Sequence, residues 1–345
     1  MKHTYIVAEI GCNHNGSKDL ARKMVLEAKK CGVDAVKFQT FKADALISKF
    51  APKAEYQKIT TGTDGSQLEM TQKLELSPDC YLELKDYATS LGLDVFSTAF
   101  DMESIDFLIK AGQHVWKIPS GEITNLPYLQ RIGALQYPDK KIYLSTGMST
   151  IDEINQCISI LEKSGTHKEE ITILHCNTEY PTPDCDVNIL AIEDIKQNFP
   201  GYSVGFSDHS VGYIAAICAV VLGISVIEKH FTLDKDLPGP DHKASATPDE
   251  LKELCKNVRR MELLVGSGKK IVTDSEKKNK IIARKSLVAK VVIKKGDVFS
   301  ADNLTCKRPG NGISPMNWYK IMGLVAERDF QKDELIQEEG FTWQE

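Results

Sequence analysis

What this chain lacks narrows it first. No apolar run is long enough to cross a bilayer core: the longest, from Tyr213 to Ile227, is interrupted by Gly223 and Ser225 and reads as a buried helix feeding a buried strand. No membrane partner is expected. The chain passes from Met1, Lys2 and His3 straight into Tyr5-Ile6-Val7-Ala8-Glu9-Ile10 without the apolar segment of a signal peptide, so the expected location is cytoplasmic. None of the nine cysteines forms a C-x-x-C pair, and their odd number and scatter through core-like segments suit reduced thiols and disfavour structural zinc. Positive charge is not in excess. A formal net charge of -5 argues against nucleic acid or an anionic membrane as main partner and leaves a small molecule. Internal repeats and low-complexity tracts are also missing.

What is present is an alternation of short apolar runs with helical patterns up to about residue 265, the mark of βα units around a parallel sheet. Strands are expected near Tyr5–Ile10, Ala35–Gln39, Asp94–Ser97, Val115–Ile118, Ile142–Ser145, Thr172–His175, Ser203–Ser207 and Ser225–Lys229. Eight such units predict a closed (β/α)₈ TIM barrel over 1–265. A doubly wound open sheet would want a G-x-G-x-x-G turn after its first strand, and Glu9-Ile10-Gly11-Cys12-Asn13-His14-Asn15-Gly16 is not one. Residues 41–77 form a long insertion with the character of a binding loop. Gly-Ser-Gly-Lys-Lys and the charged run over 266–280 read as a linker. The remaining 281–345 form a small second domain with turn signals at Lys295-Gly296-Asp297 and Pro309-Gly310-Asn311-Gly312.

A barrel of this kind works at the C-terminal ends of its strands. Here those ends are polar: Glu9, Lys37 with Gln39, Ser97 with Thr98, Lys117 with Ser120 and Glu122, Ser145, His175, Ser207 with His209, and Glu228 with His230. Strand alternation turns Lys37 and Gln39 to one face, and Glu228 and His230 likewise. Any one of these could be a solvated charge. Burying them together without partners would cost several kcal/mol, which predicts that they pair with each other or with a ligand.

His209 and His230 end neighbouring strands and can chelate one divalent ion with positions left open, whereas His175 is expected to orient Glu122 or Tyr180. Lys37 and Lys117, with Thr98, Ser120, Ser145 and Ser207, form a cationic, hydroxyl-rich cradle for a molecule bearing both phosphate and carboxylate, as phosphoenolpyruvate does. A Schiff-base lysine is the rival reading, but it needs no metal. Asn13-His14-Asn15-Gly16 reads equally as a simple turn, and Pro238-Gly239-Pro240-Asp241-His242 as a loop that aims Asp241 at a sugar hydroxyl or as plain surface.

Several segments then carry a resemblance to the bacterial N-acetylneuraminate synthase family: Ala8 to Gly16, Val36-Lys37-Phe38-Gln39-Thr40, Trp116 to Glu122, Leu144 to Met148, His175 to Pro183, Gly205 to His209 and Ile227 to Thr232. Lys307-Arg308-Pro309-Gly310-Asn311-Gly312 looks like the signature of the antifreeze-like (SAF) domain that ends this family. Ala99 departs from the proline expected there.

The resemblance implies condensation of phosphoenolpyruvate with N-acetylmannosamine, with C–O cleavage and release of phosphate. It implies Mn²⁺ on His209 and His230, with Mg²⁺ or Co²⁺ as alternatives, and phosphoenolpyruvate on Lys37, Thr98, Lys117, Ser120, Ser145 and Ser207. The sugar falls to Gln39, Glu122, Tyr180 and Asp241, with Arg308 reaching over from the partner of a domain-swapped homodimer. Glu9 and Glu122 are the expected proton-transfer groups. The same motifs would serve a legionaminic or pseudaminic acid synthase. A non-catalytic carbohydrate-binding protein is the rival from another class.

Overall fold

The computed structural model describes residues 3–62 and 65–342. Thr63 and Asp64 of the expected insertion, the first two residues and the last three of the tail lie outside the described residues. The chain divides after Gly266 into two compact units.

The first unit holds eight parallel strands: β1 (Tyr5–Gly11), β2 (Ala35–Thr40), β3 (Asp94–Ala99), β4 (Val115–Ile118), β5 (Lys141–Ser145), β6 (Ile171–Cys176), β7 (Ser203–Asp208) and β8 (Val226–His230). Their order, β3-β2-β1-β8-β7-β6-β5-β4, joins the first strand to the last and makes the TIM-like barrel expected from the sequence. Strands buried on both faces read as almost continuous apolar runs, as in β1 and β6. Helices cover the outside, and their starts are written locally: Thr150 and Glu153 form a capping box for Ile151–Lys163, and Thr247 and Glu250 do so for Pro248–Leu264.

The one seam without a strand ladder lies between β3 and β4. There the buried side chain of Gln113, just before β4, takes the place of a strand: its Oε1 accepts from the Ser97 amide at 2.7 Å and its Nε2 donates to the Ser97 carbonyl at 2.9 Å. The Tyr128 hydroxyl crosses the same gap to the Ala99 carbonyl at 2.7 Å.

The barrel interior is layered by strand alternation. A lower plug of Val7, Ala35, Phe96, Tyr143, Leu174 and Val226 fills the centre. β7 contributes Gly205 to this region because nothing larger fits: a Cβ there would stand 2.5 Å from Leu174 Cδ2 and 2.8 Å from the Val226 carbonyl. Two residues further along, the strands deliver Glu9, Lys37, Thr98, Lys117, Ser145, Ser207 and Glu228 into the mouth.

After β2 the insertion folds into three short helices, Ala43–Leu46, Glu55–Thr61 and Gln67–Gln72. The stretch expected to be linker, 266–280, contains most of a helix, Asp274–Ala283. Thr273 and Glu276 cap it, and none of its residues is buried, so its charged composition reflects a solvated helix rather than an irregular tether. The second unit pairs β9 (Ser286–Ala289) with β10 (Leu304–Lys307) antiparallel over a small core that includes Leu287, Phe299, Phe330 and Phe341.

The seam makes a direct prediction. Gln113→Ala leaves the amide and carbonyl of Ser97 buried without their partners, at a cost on the order of 2 kcal/mol or more. Urea unfolding should show that loss, and Gln113→Glu at neutral pH should be worse than Gln113→Ala because it buries a carboxylate beside the Ser97 carbonyl.

Candidate active site

The mouth of the barrel encloses a cavity of about 290 Å³. Its centre is the carboxylate of Glu228, 3.5 Å from the Lys117 ammonium and 3.7 Å from that of Lys37. Ser207 donates to it at 3.1 Å. Lys37 also stands 2.7 Å from Glu9 and donates to Thr98 at 3.0 Å, while Gln39 donates to the other oxygen of Glu9 at 3.0 Å. All four charged groups are buried.

Their environments separate them. Burial alone would push the Glu228 carboxyl up, but Lys117 and Lys37, aided by His230 and His209, overrule it and hold it well below the usual range. For Glu9 burial wins, and Lys37 only partly offsets the rise. Burial likewise lowers Lys117, whereas the carboxylates of Glu228 and Glu9 more than compensate it at Lys37 and raise that ammonium. Two ammonium groups thus face one firmly ionised carboxylate and one that burial draws toward neutrality. The site has a place for a further anion.

Hydroxyls extend this cradle. Ser145 Oγ is buried without a hydrogen-bond partner. Ser120 Oγ accepts from the Gly147 amide at 3.0 Å and lies 3.3 Å from the Cys176 sulfur.

Beside the cradle, His209 and His230 stand with ring centroids 5.3 Å apart. His209 Nδ1 points at the Asn177 carbonyl at 2.5 Å, which assigns the proton to that nitrogen and turns the Nε2 lone pair toward Tyr180 and Ser207, 3.3 Å away. Burial lowers His209 to about 4 and takes His230 well below its ordinary value, so both rings are neutral near pH 7. His230 Nδ1 is buried and has no hydrogen-bond partner among the described residues. Among the described residues no group of three or more His, Cys, Asp or Glu is arranged to hold a metal. A pair of neutral imidazoles, one with an unused buried nitrogen, fits an ion that takes its other ligands from substrate and water. Behind the pair, Lys229 and Asp208 form a buried ion pair at 2.9 Å that ties the ends of β7 and β8 together.

The structure therefore brings Glu9, Lys37, Gln39, Thr98, Lys117, Ser120, Ser145, Tyr180, Ser207, His209, His230 and Asp241 to one cavity. It does not bring Glu122, which is half-buried in the turn after β4 and accepts from Asn125 at 2.6 Å. Arg308 belongs to the second unit, where its Nε donates to the Ala283 carbonyl at 3.0 Å. The expectation for His175 is corrected. Leu174 and Cys176 face the interior, so strand alternation turns His175 outward, where it meets the Val187 carbonyl at 2.8 Å and stacks on Phe206.

Sequence reasoning missed two partners. Glu228 stood in the strand-end inventory without a role, although its i, i+2 relation to His230 already pointed it inward. Cys12 donates from its sulfur to Asp241 at 3.4 Å, a contact between residues too far apart in sequence to suggest it. Asn13 proves to be a buried brace: its amide donates to Phe231 O at 2.9 Å and to Ser245 Oγ at 2.8 Å.

Residues 24–270 match the model of the NeuB family, and residues 284–342 match the SAF domain. The chain belongs to the NeuB family. It is 51% identical over 338 residues to the N,N'-diacetyllegionaminic acid synthase of Campylobacter jejuni, covering 98% of this chain and 100% of that one. It is 43% identical to the protein of the same name from Legionella pneumophila, over 92% of this chain and 89% of that one. Among solved structures, the N-acetylneuraminic acid (sialic acid) synthetase of Leptospira borgpetersenii in complex with citrate superposes with a TM-score of 0.70 at 29% identity, over 81% of this chain and 90% of that one. As a NeuB-family protein, the chain is an enzyme of the sialic acid synthase type. Among the described residues no helix is long and apolar enough to cross a membrane.

Asp241 gives this site a pH signature. Burial raises its carboxyl from 3.8 to about 6, against a small opposing effect from the Cys12 thiol. Between those values the folded protein binds more protons than the unfolded chain, so stability falls as pH rises through the window and then levels off. The loss is on the order of 3 kcal/mol. Urea unfolding from pH 4 to pH 7 should show the unsubstituted protein losing about 3 kcal/mol relative to Asp241→Asn, a difference from which the titrations of Glu9, His209 and His230 cancel.

Proposed function

We propose that this NeuB-family enzyme is an N,N'-diacetyllegionaminic acid synthase, which joins phosphoenolpyruvate to the open-chain aldehyde of a diacetamido-trideoxy sugar and releases phosphate. The observation that carries this reading is the division of the cavity into two chemical halves. One half is the lysine and hydroxyl cradle. The other is a mainly apolar wall of Phe41, Leu46, Ile47, Met70, Leu74 and Phe100, interspersed with Gln57, Gln67 and Thr71 and supplied mostly by the insertion.

Phosphoenolpyruvate suits the first half, since its carboxylate and phosphate complete the charge around Lys37 and Lys117. A trideoxy sugar suits the second. It offers a methyl group where N-acetylmannosamine carries a hydroxymethyl, and an acetamido group where that sugar carries a hydroxyl; the apolar stretch of the wall favours the methyl, and Gln57, Gln67 and Thr71 offer partners to the amide. N-acetylmannosamine, the acceptor expected from sequence, is therefore placed second, and the names of the Campylobacter and Legionella relatives favour the same order.

In this reading C3 of phosphoenolpyruvate bonds to the aldehyde carbon, the aldehyde oxygen gains a proton, water adds at C2 and the C–O bond to phosphate breaks. Lys37 and Lys117 hold the carboxylate and phosphate as charge shifts between them. The hydroxyls of Thr98, Ser120, Ser145 and Ser207 fix the orientation. Glu9, which lines the cavity and whose carboxyl burial draws toward neutrality, would pass a proton, whereas Glu122 does not line the cavity. A divalent ion on His209 and His230, Mn²⁺ before Mg²⁺ or Co²⁺, would supply Lewis-acid polarisation of the aldehyde. Arg308 of a second subunit completes the acceptor site in a cytoplasmic homodimer, a role its exposed position allows.

Phosphate release from phosphoenolpyruvate tests both parts. The diacetamido-trideoxy sugar should exceed N-acetylmannosamine by about tenfold or more in kcat/KM, and the reverse order would make the protein a neuraminate synthase. Chelation should abolish release and Mn²⁺ should restore it, whereas full activity of the metal-stripped protein would remove the ion from the reading.

A further inference from the structure

The apolar wall has a second side. Met70, Leu74 and Pro240 line the cavity of the mouth and also line a neighbouring chamber of about 470 Å³. That chamber lies between the insertion and two loops that the reaction leaves unused, the turn at Asn15 and the Pro238–Pro240 segment. The turn is built to pack there. Asn15 and Gly16 both take positive φ, at 50° and 70°, and a Cβ on Gly16 would come within 3.0 Å of the Lys73 carbonyl.

The chemistry changes across the partition. On the far side Asn15, Thr60, Thr61 and Ser66, together with the charged Lys53, Glu69 and Lys73, give a polar lining in place of the apolar wall. Met70 packs against that side, its sulfur 3.5 Å from the Thr61 hydroxyl, whose proton goes to the Gln57 carbonyl at 2.7 Å. A flexible thioether that only packing holds in place is a partition that a smaller residue would open.

We propose that Met70 and Leu74 set the length of the N-acyl group that the acceptor can carry, and that the chamber behind them is a second subsite for a longer acyl chain. The inference rests on the reading of the mouth as the acceptor site. Phosphoenolpyruvate is fixed in size and the sugar's carbon chain is fixed by the reaction, so an N-acyl group is the part of the substrates that can lengthen without moving a reacting carbon. An acyl chain entering the chamber presents methylenes to the partition and any terminal hydroxyl or carbonyl to Thr60, Thr61 and Asn15. With the partition in place, each added methylene meets Met70 or Leu74 and is rejected.

The test compares the N-acetyl acceptor with its N-butanoyl analogue in one phosphate-release assay. The ratio of their kcat/KM values is read for the unsubstituted protein, Met70→Ala, Leu74→Ala and, as a control, Met148→Ala, which opens the mouth at a residue that does not line the chamber. Met70→Ala or Leu74→Ala should raise the N-butanoyl to N-acetyl ratio by about tenfold or more, and Met148→Ala should not. Reading both acceptors on one preparation keeps the ratio meaningful even where a variant is slower overall. An unchanged ratio in both partition variants, or an equal rise in Met148→Ala, overturns the proposal. Release from the N-acetyl acceptor by the unsubstituted protein reports separately on the acceptor-site reading, so the two failures are distinct.

Discussion

The carboxylate of Glu228, set between the ammonium groups of Lys37 and Lys117 inside a buried barrel mouth, is the interaction on which the rest of the site depends. Without it two lysines on neighbouring walls would repel each other in a region of low dielectric, and burial would drive them toward neutrality. With it the Lys37 ammonium is held above its ordinary value, and the pull of burial on Lys117 is opposed. A doubly anionic substrate therefore finds its counter-charges already desolvated and in place, and little reorganisation is required on binding. The same carboxylate accepts from Ser207 and stabilises the region beside His209 and His230, so the anion cradle and the imidazole pair share one electrostatic centre.

The barrel makes that centre affordable. Below it a plug of apolar and aromatic side chains excludes water, and the closeness of Gly205 to Leu174 and Val226 shows how little free space that layer has. Around it, Gln113 and Tyr128 close the seam between β3 and β4, where the described residues form no strand ladder. Behind it the Lys229–Asp208 pair links the strands that carry the two histidines. Each device fixes the backbone from which a functional side chain projects, and none of them faces the cavity.

Much of this was legible in the sequence because a (β/α)₈ barrel converts strand parity into geometry. Once the eight apolar runs are placed, the polar residues at their ends must converge, and Lys37 with Gln39 and Glu228 with His230 follow from a period of two. The same rule, applied to β6, would have turned His175 outward, since its neighbours Leu174 and Cys176 belong inside. Long-range contacts were not legible. Nothing local ties Cys12 to Asp241 or Gln113 to Ser97, because those meetings depend on how loops and strand ends close in space. The insertion was recognisable by its length, but its division into helices that wall one cavity and back another was not. Within the linker expected over 266–280, the helix that begins at Asp274 was not legible, because a helix with no buried residue carries no apolar stripe.

The central claim is that the mouth binds a molecule with two anionic groups through Lys37 and Lys117. Calorimetric titration of phosphoenolpyruvate into the protein, with no acceptor sugar present, measures this directly. Lys37→Met and Lys117→Met should each weaken binding by about tenfold or more, while Lys290→Met, a change at an exposed lysine of the second unit, should leave it unaltered. Binding of phosphoenolpyruvate to the Lys37→Met, Lys117→Met double variant with the affinity of the unsubstituted protein would contradict the account.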